Sequence, residues 1–299
     1  MKWILIFIWL FSIVFFYFRG KIRPSFSKTF IDHSIVLAPI NLLFVLTSKV
    51  QKTPFIPLEN LPELQSLTKN WKIFRDEASI LLEQNKILAA KKNDDVGFNS
   101  FFKYGWKRFY LKWYDAKHPS AEILCPKSVE LLKSIPTVKA AMFAILPSGG
   151  KLNPHRDPYA GSLRYHLGLL TPNSDDCFIL VDGEKYSWYD GEAVLFDETY
   201  IHQAKNNTAV DRIILFCDIE RPLALKASSV INKFFSKHIM SAASSPNQSG
   251  DDTGKINKLT KGYWKLDSLR KKIKNKNKFL YKVTKLLIIT LTIILIILI

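Results

Sequence analysis

From Lys139 to Pro222 the chain is cut into short apolar blocks rich in β-forming residues: KAAMFAILP, LRYHLGLLTP, CFILVDG, KYSWYDG, AVLFDE and RIILFCDIE. Turn formers separate them: Ser148-Gly149-Gly150, Pro172-Asn173-Ser174-Asp175, Asp182-Gly183, Asp190-Gly191 and Asn206-Asn207. Blocks of about four to eight residues bounded in this way read as strands. No helix-length segment lies between them, which excludes a parallel α/β fold. The expected fold is mainly β with flanking helices, a sandwich or jelly roll over 139–222. Upstream, Leu61 to Leu88 carries helical spacing that puts Trp71, Phe74, Ala78 and Leu81 on one face. Ser128 to Ser134 reads as a further short helix.

The two ends are far more apolar than a soluble surface tolerates. Trp3 to Phe18 reads WILIFIWLFSIVFFYF. As a helix it would span about 24 Å, slightly short of a bilayer core of about 30 Å. Arg19-Gly-Lys-Ile-Arg23 follows in place of a small-residue cleavage site, so the reading is a retained membrane anchor rather than a signal peptide. The chain closes on KLLIITLTIILIILI, a second membrane segment. The formal net charge of +17 invites a nucleic-acid reading, but ten Lys and Arg against one Asp fall between Lys261 and Lys285, directly before that segment. Basic residues in such a place read as topology signals and anionic-lipid contacts. The expectation is therefore a membrane partner, no nucleic acid, and a central region facing the cytoplasm. A third apolar run, Ile35 to Leu46, is too short to span and either lies in the interface or packs on the domain. Ser241 to Gly254, almost without apolar residues, reads as a flexible linker. Cys125, Cys177 and Cys217 are odd in number and show no metal spacing, so they read as reduced thiols.

The chemistry lies in the strand block. Pro154-His155-Arg156-Asp157 follows a Gly-rich turn, and alternate residues of an extended chain point to one side. His155 and Asp157 can thus address one ion. His202 lies 45 residues after Asp157, at the end of the block AVLFDETYIH. Two imidazoles and one carboxylate on one face of an octahedral Fe(II) leave positions open for a cosubstrate and O2. Ten residues beyond His202, Arg212 opens RIILF and can pair bidentately with a carboxylate. Arg164 and His166 are alternate basic residues of a second strand, LRYHLGL; Arg164 and Arg212 have a purely structural alternative as ion pairs or exposed side chains, and His166 as a buried imidazole.

With these residues in view the chain resembles the aspartyl/asparaginyl β-hydroxylases over roughly residues 71–222. His155, LRYHLGL at 163–169, the DGE and FDETYIH of 190–202, and RIILFCDIERP at 212–222 carry the resemblance. The two apolar ends resemble the bacterial lipid A acyl-chain 2-hydroxylases within that family. The resemblance implies a double-stranded β-helix (cupin-like jelly roll). It implies iron held by His155 and His202, and 2-oxoglutarate held by Arg164, His166 and Arg212. The animal protein hydroxylases lack the carboxylate ligand, so Asp157 points to the bacterial branch with its complete triad. The implied organisation is an anchor at 1–20, a juxtamembrane segment at 21–60 and a dioxygenase domain at 61–225 with its β core at 139–222. A linker at 241–262, a basic stem at 263–285 and a membrane segment at 286–299 complete it. The implied activity is Fe(II)- and 2-oxoglutarate-dependent 2-hydroxylation of a fatty acyl chain of lipid A at the cytoplasmic face of the bacterial inner membrane. Hydroxylation of Asp or Asn side chains in proteins is the alternative. The aromatic run Trp106, Phe109, Tyr110, Trp113 and Tyr114 would either touch the membrane interface or pack in the core.

Overall fold

A computed structural model describes residues 2–25, 33–89, 95, 97–260, 272 and 274–277. The membrane segment expected at 286–299, and the basic stem apart from those few positions, lie outside them. Among the described residues ten strands form: β1 (Phe55–Ile56), β2 (Lys107–Trp113), β3 (Val138–Leu146), β4 (Lys151–His155), β5 (Ser162–Leu170), β6 (Cys177–Val181), β7 (Glu184–Ser187), β8 (Ala193–Phe196), β9 (His202–Asn206) and β10 (Arg212–Glu220). The helices are α1 (Lys2–Phe18), α2 (Ala38–Leu46), α3 (Gln65–Lys69), α4 (Trp71–Glu83), α5 (Asn99–Phe102), α6 (Pro119–Leu124), α7 (Pro126–Lys133) and α8 (Lys226–Phe235).

The strands build two antiparallel sheets, ordered β1-β8-β5-β10-β3-β2 and β4-β9-β6-β7. Successive strands of 138–220 are dealt between the sheets in the manner of a jelly roll. The alternation of β3 shows why the larger sheet is apolar on both sides. Val138, Ala141, Phe143 and Ile145 face a core shared with Phe74, Ala78 and Leu81 of α4 and Val129 and Leu132 of α7. Ala140, Met142, Ala144 and Leu146 face the second sheet, where they meet Ile179, Val181 and Ala204. In β5, Leu163, Tyr165, Leu167 and Leu169 take the helix side. Period-two alternation therefore sends Arg164 and His166 between the sheets. The Asp182-Gly183 turn joins β6 to β7 with φ of +51° and +88°, the left-handed pair that a tight hairpin needs.

The N-terminal run departs from the anchor expectation. It is a helix of 17 residues, and among the described residues no helix is long and apolar enough to cross a membrane. One side of α1 is buried against α2, with Ile13 and Phe16 joining Ala38, Leu42, Phe44, Val45, Tyr159 and Ala160. Its other side leaves Trp3, Phe7, Phe11 and Val14 exposed. Of the two readings of Ile35 to Leu46, packing on the domain is the one observed. The aromatics of 106–114 are likewise core: Trp106, Phe109, Tyr110, Trp113 and Tyr114 are all buried. Residues 241–254, polar enough to read as a linker, are fastened by hydrogen bonds instead. Asn247 accepts from the Tyr110 N–H (2.7 Å) and donates to the Tyr110 carbonyl (2.8 Å), and Ser245 accepts from Arg108 (2.9 Å). All three cysteines are free and buried.

Candidate active site

His155 ends β4 and His202 opens β9, and the register of these two strands sets them directly opposite each other. Their ring centroids are 4.3 Å apart. Asp157 follows two residues after His155, held by its own N–H donating to the Glu198 carbonyl (3.0 Å). Its Oδ1 lies 3.6 Å from His155 Nε2 and 3.8 Å from His202 Nε2. One ligand atom from each of the three lies within 4.8 Å of the other two. The outward nitrogens complete the arrangement. His155 Nδ1 donates to the Asn153 carbonyl (2.7 Å) and His202 Nδ1 to the Tyr200 carbonyl (3.0 Å). Each Nε2 lone pair is thereby turned toward the shared point, as a metal-ligating imidazole requires.

The electrostatics suit a cation at that point. Burial, reinforced by the neighbouring His155, pushes the His202 imidazole down to about 3, so it is neutral at physiological pH. Burial alone would raise Asp157, but the neighbouring Arg164 guanidinium outweighs it and holds the carboxyl well below the usual carboxylate range. Two nitrogens and an anionic oxygen are a fitting donor set for a divalent first-row metal with positions left open.

Beside these ligands is a narrow cleft whose lining includes Arg164, His166, Trp188 and Arg212. Both His166 ring nitrogens, Arg212 Nε and Trp188 Nε1 are buried there without a hydrogen-bond partner. A buried polar group left unpaired costs about 1–3 kcal/mol, so this group of nitrogens is prepared for an oxygen-bearing ligand. Arg212 lies 4.3 Å above the Trp188 ring. Burial lowers its pKa only to about 10, and it stays cationic. Burial and the charges of Arg212 and Arg164 push His166 far down, so it is a neutral imidazole. Arg212, His166 and the three metal-binding candidates thus line one cleft.

Arg164 also lines it, but much of its guanidinium is committed elsewhere. It ion-pairs with Asp157 (2.7 Å), Asp218 (3.1 Å) and Glu198, and lies over the Phe216 ring. Tyr114 donates to Asp218 (3.0 Å) and Ser162 to Glu198 (2.6 Å). Burial raises the carboxyls of Glu198 and Asp218 while Asp157 stays ionised. Sequence reasoning overlooked Glu198, Asp218 and Trp188. Their signal was present as an acidic residue inside each of the apolar strings AVLFDE and RIILFCDIE, and as an indole between two turns.

The family described as Aspartyl/Asparaginyl beta-hydroxylase matches residues 68–222, which hold the whole of this site. The chain belongs to that family. It is 32% identical over 212 residues to the ornithine lipid ester-linked acyl 2-hydroxylase of Rhizobium tropici, covering 70% of this chain and 74% of that protein. It is 27% identical over 164 residues to human aspartyl/asparaginyl beta-hydroxylase, covering 53% of this chain but 21% of the human protein. Among solved structures, a Pseudomonas putida prolyl-4-hydroxylase aligns with 52% of this chain and 88% of its own at 15% identity and a TM-score of 0.33. As a member of the β-hydroxylase family the protein is an enzyme, a hydroxylase.

Proposed function

We propose that the protein is an Fe(II)- and 2-oxoglutarate-dependent dioxygenase that hydroxylates a fatty acyl chain of a membrane lipid. The observation that carries this reading is the adjacency of the His155–Asp157–His202 triad to a cleft of buried, unpartnered donors. His155, Asp157 and His202 would hold the iron. Arg212, with Trp188 and His166 beside it, would take a carboxylate of 2-oxoglutarate through charge-assisted hydrogen bonds. Bound together, the iron and its cosubstrate supply the oxidation, with one oxygen atom of O2 entering a C–H bond and the other entering succinate as CO2 leaves. Asp157, held ionised by Arg164, keeps its side chain available as a ligand, and Glu198 fixes its backbone.

The lipid substrate is supported by the relative that acts on an ester-linked acyl chain of ornithine lipid. It is also supported by the exposed apolar face of α1, which suits a bilayer surface. Lipid A and an amino-acid-containing lipid are the two candidate carriers of the acyl chain.

Mass spectrometry of total lipid and lipid A from cells with and without the protein tests this. A gain of one oxygen on an acyl fragment, lost in Asp157→Ala, is the expected result, and the lipid class in which it appears names the carrier. Unaltered lipids alongside Asp or Asn hydroxylation of a protein would replace this reading with protein hydroxylation.

A further inference from the structure

The residues lining the cleft beside the triad differ sharply in exposure. Most are buried, and these include Arg212, His166 and Trp188, the residues with unpaired donors. Four are partly exposed: Phe101, Leu152, His155 and Asp157. Solvent therefore reaches this cleft at the metal-binding candidates and not at the donors set aside for the cosubstrate. The topology accounts for this, because Leu152 and His155 both lie on β4, the outer strand of the four-stranded sheet. Phe101 comes from α5, and its ring meets the His155 imidazole edge-on with centroids 4.9 Å apart. Phe98 and Trp106, each 5.8 Å away, pack on the same ring. A polar tie joins the two segments. Asn153 of β4 donates to the Tyr104 hydroxyl just after α5 (2.6 Å), and its carbonyl accepts from His155 Nδ1 (2.7 Å). Apart from the metal-binding candidates themselves, the partly exposed lining is hydrocarbon.

We infer that Phe101 and Leu152 determine specificity, forming an apolar rim that receives the hydrocarbon part of the substrate beside the metal-binding residues. The inference deepens the acyl-lipid reading above and rests on it. The reacting carbon has only to reach the rim, where His155 and Asp157 are already open to solvent. A methylene group placed against Phe101 and Leu152 gains by leaving water and needs no partner. An Asp or Asn side chain in the same place would give up hydration against carbon surface that offers neither donor nor acceptor. The rim thus selects the substrate class, while the triad and the buried donors serve the metal and the cosubstrate. Its aromatic half is preorganised, since Phe101 is held by three rings.

The test uses the full chain supplied with Fe(II) and 2-oxoglutarate. KM and kcat are measured on lipid A and on an amino-acid-containing acyl lipid, each in detergent micelles, for the wild type, Phe101→Leu and Phe101→Gln. Leu and Gln are close in size, and both lose the ring packing on Phe98 and Trp106, so a merely structural role would impair the two variants alike. The rim predicts a KM about tenfold higher in Phe101→Gln than in Phe101→Leu, with a smaller difference in kcat. Leu152→Met and Leu152→Gln repeat the comparison on β4 and are read even if the Phe101 variants do not fold. A separation within either pair supports the residue concerned. Equal KM within both pairs, with the wild type hydroxylating lipid, would overturn the rim and leave the acyl-lipid reading standing. Hydroxylation of neither lipid by the wild type would remove that reading and the rim together.

Discussion

Arg19→Ala separates a docked helix from a bilayer tether. The Arg19 side chain is 7% exposed and that of Asp197 is fully buried, and the guanidinium also lies 4.3 Å from the Tyr200 ring centre. Arg19 donates both to Asp197 and to the Thr199 hydroxyl, and losing these charge-assisted hydrogen bonds costs about 1.5–3 kcal/mol each, to which the ring contact adds about 0.5–1 kcal/mol. Two terms offset this. Asp197 keeps both Arg221 contacts (2.9 and 3.1 Å) and the Thr199 N–H (3.0 Å), and the variant no longer has to desolvate a guanidinium. The net expectation is about 2 kcal/mol, a Tm lower by about 4–8 °C for a domain of this size. Differential scanning fluorimetry in mild detergent reads it directly. Arg19→Lys should recover part of the loss, because it restores charge without the planar fork. A change below about 1 °C in Arg19→Ala would mean that α1 does not rest on the domain.

Arg212→Ala should raise the 2-oxoglutarate concentration needed for half-maximal thermal stabilisation about ten- to hundredfold. Trp188→Phe, which keeps a ring beneath Arg212 and removes only the N–H, should raise it about three- to tenfold, and no change in either variant would refute the cosubstrate assignment. Burial would raise Asp197, but Arg221 and Arg19 outweigh it and depress its carboxyl, so its contribution to stability is complete above the unfolded pKa of about 3.9 and is lost as pH falls below that value. Acid titration of stability should therefore be steeper below about pH 4 in the wild type than in Asp197→Asn, which should itself be less stable at pH 7; parallel curves would contradict the depressed carboxyl.

What could be read from residues alone followed local periodicity. The strand blocks and the short helix near Ser128 are visible because alternation and helical spacing are properties of neighbouring residues. The nearness of His155 and Asp157 is visible for the same reason. The pairing of His202 opposite His155 depends on the register of β4 and β9, which no local pattern contains. For Arg164 the sequence left both a cosubstrate contact and an ion pair open, and it sits among three carboxylates, two of them on β10 and in the segment after β8. The N-terminal run was deceptive for a thermodynamic reason. Hydropathy sums over all faces of a helix, whereas α1 places one face on α2 and secures its end through Arg19, a residue that looks like a topology signal until Asp197 is seen beside it. The tract at 241–254 misled in the opposite sense, since it is fixed by side-chain hydrogen bonds rather than by apolar burial.

Asn247 gives that tract a further importance. β2 is an outer strand of the six-stranded sheet, and an uncovered outer strand invites another chain to add itself. The Asn247 amide offers the Tyr110 backbone one acceptor and one donor, which is what an incoming strand would offer. At the opposite border β1 has only two residues, too few to recruit a partner firmly. The six-stranded sheet is thus finished at its edges by small local means, so copies of the enzyme have little free backbone through which to join into a continuous ribbon.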